Sequence, residues 1–76
     1  MDDTLALRAL AAVIADEALR ERFLALTGFD TDTLRARAGE ADVLGSVIDF
    51  LAGNEADLVR VAGDLGVKPA ALMGAC

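Results

Sequence analysis

The chain has 76 residues, 55% of them hydrophobic, and its 13 acidic side chains outnumber seven basic ones for a net charge of −6. This length supports one small domain with a thin core, so we predict a single helical domain over residues 1–76. The acidic balance disfavours nucleic acid and anionic lipid, which both attract basic surfaces, so we expect no nucleic acid and no membrane among the partners.

The first predicted helix begins at a cap formed by Asp3 or Thr4 and ends near Ala15. Asp and Thr are favoured at this position because their side-chain oxygens accept hydrogen bonds from the free N–H groups of the first turn. Its apolar residues recur at helical spacing and are expected to be buried. They are Leu7, Leu10, Val13 and Ile14.

Two shorter helices are predicted next. Asp16 caps the second, which runs from Glu17 to about Thr27, and Gly28 ends it in the left-handed conformation that favours glycine. The third starts after Asp30 and stops at Gly39. The side chains expected to be buried in this pair are Leu19, Phe23, Leu26 and Leu34.

Residues 41–53 contain the densest apolar stretch of the chain, VLGSVIDFL. Its large apolar residues fall at helical spacing, and they are Val43, Leu44, Val47, Ile48 and Leu51. We therefore predict an all-α fold, a compact bundle of five to six short helices around this central helix. Asp49 is the charged residue within VLGSVIDFL, and its environment is open. It faces solvent beside Gly45 and Ser46, pairs with an arginine, or serves a ligand or partner.

The last two helices are predicted from their caps. Asn54 caps the fifth, which Gly66 ends, and Pro69 opens the sixth at the first helical position, where its missing N–H costs nothing. The expected buried residues are Leu58, Val61, Ala62, Leu65, Leu72 and Met73. When the sequence is compared with itself at an offset of 38 residues, half its length, helix caps and glycines coincide. This pattern predicts two three-helix halves, 1–38 and 39–76, although the residue identities do not support a repeat.

Several segments together resemble a known family. They are the opening ALRALAAVIADEALRERFLALTG, the stretch DTLRARAGEADVLGSVIDFL and the ending LGVKPAAL. Over nearly the whole chain they are similar to a small helical family, found mainly in alphaproteobacteria, that is catalogued as domain of unknown function 3572. The resemblance implies a compact helical protein of the cytoplasm, and it carries no activity and no functional residues.

The residue types argue against an enzyme. The chain has no His and no Tyr, so the usual general base near neutral pH is missing, and its one cysteine, Cys76, is terminal. Most carboxylate pairs lie at helix starts, where the helix dipole explains them. We predict no catalytic residue, no metal site and no cofactor. The single cysteine and the acidic start MDDTLALRAL, unlike a secretion signal, favour the cytoplasm.

We expect a protein–protein interaction or scaffold module that acts without catalysis. Its partner is an unknown protein or a second copy of the chain, which would form a homodimer. Four arginines flank the Gly28 turn, two phenylalanines are candidates for partly exposed anchors, and one aspartate lies in the central helix. The candidate surface comprises Arg20, Arg22, Phe29, Arg35, Arg37, Asp49 and Phe50.

Two alternative functions rest on local patterns. The helix pair within residues 58–76 resembles a DNA-binding helix-turn-helix, although its second helix offers nothing to contact base edges. The tripeptide Asp32-Thr33-Leu34 resembles the Asp-Ser-Leu of acyl carrier proteins, with Thr33 at the attachment position. The short helix after it is basic, whereas carrier proteins are acidic there.

Overall fold

Six α-helices follow one another along the chain, joined by short turns. The computed structural model describes residues 3–74, with side chains from residue 4 onward, and this part of the chain contains no strand. The helices are α1 (Asp3–Ala15), α2 (Glu17–Thr27), α3 (Thr31–Ala36), α4 (Ala41–Ala52), α5 (Glu55–Leu65) and α6 (Pro69–Met73). The prediction of an all-α bundle of short helices is confirmed.

Side-chain caps begin α2 and α5 at the predicted residues. A side-chain oxygen of Asp16 accepts the N–H of Leu19 at 3.1 Å. The side-chain oxygen of Asn54 accepts the N–H of Asp57 in the same way, at 3.2 Å. Each bond satisfies one of the N–H groups that have no partner inside the helix.

Glycines end the same two helices. Gly28 and Gly66 have φ of 78° and 72°, the left-handed region that residues with a Cβ rarely adopt. The N–H of Gly28 donates to the carbonyl of Leu24 at 2.9 Å and so closes the last turn of α2. These ends depend on local chemistry, which explains why the sequence predicts them.

The core is one continuous cluster to which all six helices contribute. Helix α4 lies near its centre, as predicted, and packs on α1, α2, α5 and α6. Helix α1 is also central, because it packs on α2, α4, α5 and α6. The buried residues are Leu5, Ala6, Ala9, Leu10, Val13, Leu19, Phe23, Leu34, Val43, Leu44, Val47, Ile48, Leu51, Val61, Ala62 and Leu72.

The buried face of α1 differs from the predicted one. Leu7 was expected in the core, but 43% of it is exposed. Ala6 and Ala9 are buried instead, and small side chains allow neighbouring helices to approach closely. Asp3 and Thr4 both lie within α1, so the prediction that one of them caps the helix is wrong. The position before Asp3 lies outside the described residues.

Two further residues predicted to be buried are exposed. Leu26, in the last turn of α2, is 76% exposed, and Met73, at the end of α6, is 37% exposed. A helical stripe predicts a direction, but it does not predict whether a neighbouring helix extends far enough to cover the last turn. Leu58 and Leu65 of α5 are half-buried and pack against the core.

The helix starts follow a regular spacing. Helices α4, α5 and α6 begin 38 residues after α1, α2 and α3, respectively. The residues in the two halves differ in most places, so an internal repeat stays a prediction.

No helix within residues 3–74 combines the length and the apolar character that a bilayer crossing requires. The longest, α1, has 13 residues, whereas a membrane span needs about 20.

Candidate functional site

An apolar groove of about 390 Å³ lies between α1 and α3. It is called the α1–α3 groove below. Within residues 4–74, its lining contains seven apolar residues, one threonine and one arginine, and no acidic residue. The lining residues are Leu7, Leu10, Ala11, Ile14, Ala15, Thr31, Leu34, Arg35 and Ala38.

One side of the α1–α3 groove is a line of side chains along α1. Leu7, Leu10 and Ile14 are spaced three and four residues apart, so they lie above one another on a single helix face. Leu10 is buried, Ile14 is half-buried and Leu7 is 43% exposed. The groove therefore has an apolar floor that continues into an apolar, solvent-facing wall.

The other side is α3, a helix of six residues that buries one side chain, Leu34. By contrast, α6 packs on α5, α1 and α4, and α3 makes no comparably extensive contact with any helix. Helix α3 makes no extensive contact with α1, so part of the adjacent face of α1 stays uncovered, and the α1–α3 groove lies there.

Polar contacts hold both ends of α3. At its start, the carboxylate of Asp30 accepts the N–H of Thr33 at 2.6 Å. This bond and a second one from the Thr33 hydroxyl keep the pKa of Asp30 below its usual value. After its end, Arg37 donates to Glu40 (Nε to Oε2, 3.1 Å) and Asp42 (Nη2 to Oδ2, 2.5 Å), which raises the pKa of Arg37. These contacts connect α3 to the start of α4.

Arg35 projects from α3 at the edge of the α1–α3 groove and is exposed. It is the only arginine of the chain whose guanidinium has no hydrogen bond or ion pair with the described residues. The other five all have one. Their partners are the carbonyl of Leu65 for Arg8 (3.1 Å), the carbonyl of Ile14 for Arg20 (3.3 Å), Asp57 for Arg22, Glu40 and Asp42 for Arg37, and Asp16 for Arg60 (2.6 Å).

Three residues of the candidate surface gather around the buried ring of Phe23. The ring of Phe50 lies 5.3 Å away, edge on, and the ring of Phe29 lies 6.3 Å away. The guanidinium of Arg22 lies 5.6 Å from the centre of the Phe50 ring, within cation–π range, and also pairs with Asp57. Phe29 and Phe50 are half-buried and pack on the core, so part of each ring is already in contact with residues of the same chain.

The remaining candidates lie apart from this cluster. Arg20 closes the end of α1 through the carbonyl of Ile14, and Arg37 belongs to the turn before α4. The side chain of Asp49 is exposed and pairs with no arginine of the described chain. The ion-pair interpretation of Asp49 is therefore wrong, and its role for a ligand or partner stays a prediction. Cys76 lies outside the described residues.

The sequence predicts Arg35 as a candidate residue, but it does not predict the α1–α3 groove. The available signal was an excess: α1 carries Leu5, Leu7, Leu10, Val13 and Ile14, more large apolar side chains than one stripe accommodates. With Leu7 predicted to be buried, the sequence gives no reason to expect an exposed apolar surface on α1.

The segments behind the two alternative functions have specific surroundings. Helix α6 has five residues, buries Leu72 and exposes Ala70, Ala71 and Met73. Thr33 is half-buried, and its hydroxyl is bonded to Asp30. No group of three or more acidic or cysteine side chains within the described part of the chain is arranged to hold a metal ion.

The fold is that of a small all-α protein, and it has an open apolar groove between α1 and α3. The chain belongs to the family described as protein of unknown function, DUF3572, and the match extends over residues 2–76. The family resemblance predicted from the sequence is thereby confirmed. No curated protein and no solved structure matches the chain significantly.

Proposed function

We propose that the protein is a non-catalytic interaction module that binds a single helix of a partner protein in the α1–α3 groove. The observation that carries the proposal is the apolar wall formed by Leu7, which remains 43% exposed beside a groove without acidic residues. An apolar side chain in such a place gains free energy when a partner removes it from water.

The dimensions of the groove suit a helix. Leu7 to Ile14 spans two turns of α1, about 10 Å at 1.5 Å per residue. A partner helix can place two or three apolar side chains over this length, from positions i, i+3 or i+4, and i+7. The seven apolar lining residues supply the complementary surface.

A partner protein fits the groove better than a second copy of the chain does. Two concave grooves that face one another across a twofold axis leave both unfilled. A contact between the groove and a different surface of the next copy is heterologous, and it forms rings or open filaments rather than a dimer. We therefore propose a different protein as the occupant, and a homodimer is an outcome that the experiment separates.

The proposal of a non-catalytic role rests on residue types. The described residues of the groove lining offer one hydroxyl, that of Thr31, and no carboxylate, thiol or imidazole that would serve as a base or nucleophile. We also propose a cytoplasmic protein of bacteria, as the family resemblance and the single cysteine imply.

The experiment compares captured proteins between variants. Leu7→Asp places a charge on the wall of the groove, and Val59→Asp is the matched control, because Val59 is 51% exposed on α5 and does not line the groove. Tagged wild type and both variants are incubated with bacterial lysate, and bound proteins are quantified by mass spectrometry. We expect a partner retained by wild type and Val59→Asp and reduced about tenfold by Leu7→Asp.

Two results would overturn the proposal. One is a set of captured proteins that Leu7→Asp leaves unchanged. The other is a dimer mass in light scattering of the purified protein that Leu7→Asp abolishes, because the groove would then hold a second copy. Circular dichroism of each variant confirms that the helices are intact.

A further inference from the structure

We infer that the partner helix is acidic, with a carboxylate beside its apolar anchors that pairs with Arg35. This inference rests on the proposed function and adds the chemistry of the partner. Two independent observations carry it: the charge of the groove lining, and the state of the arginines in the rest of the chain.

Among the residues that the structure describes, Arg35 is the only charged one that lines the α1–α3 groove. The chain as a whole has a net charge of −6, so a groove with one cation and no anion differs in sign from the rest of the surface. A guanidinium presents a planar set of donors that matches a carboxylate with two parallel hydrogen bonds. An apolar helix with a nearby carboxylate therefore complements both parts of the groove.

Every other arginine is engaged by a carboxylate or a carbonyl of the same chain, whereas Arg35 is not. Its guanidinium therefore pairs with an incoming carboxylate without first breaking an internal ion pair. Screening limits the opposing effect of distant acidic residues, because at physiological ionic strength charges more than about 8 Å away contribute little. Asp32, three residues before Arg35 on α3, is the acidic neighbour along the helix; it is exposed, and no ion pair joins it to Arg35.

The second half of the chain provides an internal contrast. Shifted by 38 residues, Leu7, Ile14 and Arg35 correspond to Gly45, Ala52 and Met73. The corresponding face of α4 thus lacks both large apolar side chains, and α6 lacks the cation. The two large apolar side chains and the arginine without an internal partner therefore occur together only in the first half. The shared order of helices does not explain this combination, whereas a binding site does.

The test uses two synthetic peptides that share leucine anchors at positions i, i+4 and i+7. Each is about 15 residues long, enough for helix formation in an alanine-rich sequence. One carries glutamates beside the leucines and the other carries lysines. Binding is measured by titration into isotope-labelled protein, with the methyl signals of Leu7, Leu10 and Leu34 as the readout of the groove.

We expect the glutamate peptide to shift these methyl signals and to bind about tenfold more tightly than the lysine peptide. Arg35→Glu should reverse the preference. Lys68→Glu, the matched control, changes the net charge by the same amount at an exposed position that does not line the groove, and should leave the preference unchanged.

Three results would overturn the inference. Equal affinity of the two peptides for the groove would show a docking site for helices without a charge requirement, and the proposed function would stand. Methyl signals that neither peptide shifts would reject an acidic helix, while the dependence of captured partners on Leu7 would still decide the proposed function. Decanoate, a small apolar carboxylate, is titrated in the same way. If it binds more tightly than the glutamate peptide, and Arg35→Glu abolishes this binding, the groove would be a site for a small apolar carboxylate.

Discussion

The two short helices, α3 and α6, occupy the same place in the two halves of the chain and differ in how they are held. Each follows a left-handed glycine and each buries one leucine, Leu34 or Leu72. Helix α6 packs on three helices, whereas α3 leaves an open groove against α1. The order of helices therefore does not decide whether a short helix covers the helix face beside it. The residues on that face and the contacts of the short helix also contribute.

The largest expected effect is on the two leucines. Leu72→Ala removes a side chain that is 0% exposed and leaves a closed cavity, so we expect a loss of about 4 kcal/mol in the free energy of unfolding. Leu34→Ala removes one that borders the open groove, and water can enter the space, so we expect about 2 kcal/mol. Urea denaturation measures both values. Equal losses would mean that α3 is held as firmly as α6.

The glycines before α3 and α6 should behave alike. Ala at Gly28 or Gly66 forces a side chain into the left-handed region, and a Cβ at either position would meet no atom within 4 Å, so only backbone strain remains. We expect each substitution to lower the free energy of unfolding by about 1–2 kcal/mol. Thermal denaturation followed by circular dichroism compares them. A markedly larger loss at one glycine would reveal a difference between the two turns that their geometry does not show.

A smaller effect, of opposite sign, is expected at Gly45, which corresponds to Leu7. This glycine lies inside α4, and an added Cβ would meet no other side chain within 4 Å. Gly45→Ala should raise the free energy of unfolding by about 0.5–1 kcal/mol, because alanine is the better helix former. Gly63→Ala in α5 is the matched control with the same expected gain. A loss at Gly45 alone would show that this face of α4 needs a glycine.

The smallest effect concerns the start of α3. Because the pKa of Asp30 is lowered below 3.8 in the folded chain, its carboxylate stabilises α3 fully above the unfolded pKa, and this contribution is lost as pH falls through the folded pKa. The amide signal of Thr33, followed by NMR during acid titration, should move with a midpoint below 3.8. Asp30→Asn, which keeps the cap but does not ionise, should abolish the movement. A midpoint at or above 3.8 would contradict the hydrogen bond.

The sequence was sufficient for elements that depend on neighbours along the chain. Asp16, Asn54 and the two left-handed glycines mark helix ends through bonds that span three or four residues, so their positions were predicted closely. Exposure was harder to predict, because the buried face of α1 depends on how near the neighbouring helices approach, and Ala6 and Ala9 are buried there instead of Leu7. The groove arises from the same tertiary arrangement, and for this reason Arg35 was predicted as a candidate while its apolar surroundings were not.

The pairs Arg22–Asp57 and Arg60–Asp16 both join α2, or its cap, to α5, and so cross from one half of the chain to the other. Helix α1 likewise packs on α4 and α5. A peptide of residues 1–38 would expose the apolar face of α1 and both unpaired ends of these bridges, and would stay unfolded by itself. Mixed at equimolar ratio with a peptide of residues 39–76, it should become helical. The two 38-residue peptides would then behave as complementary fragments of one folding unit.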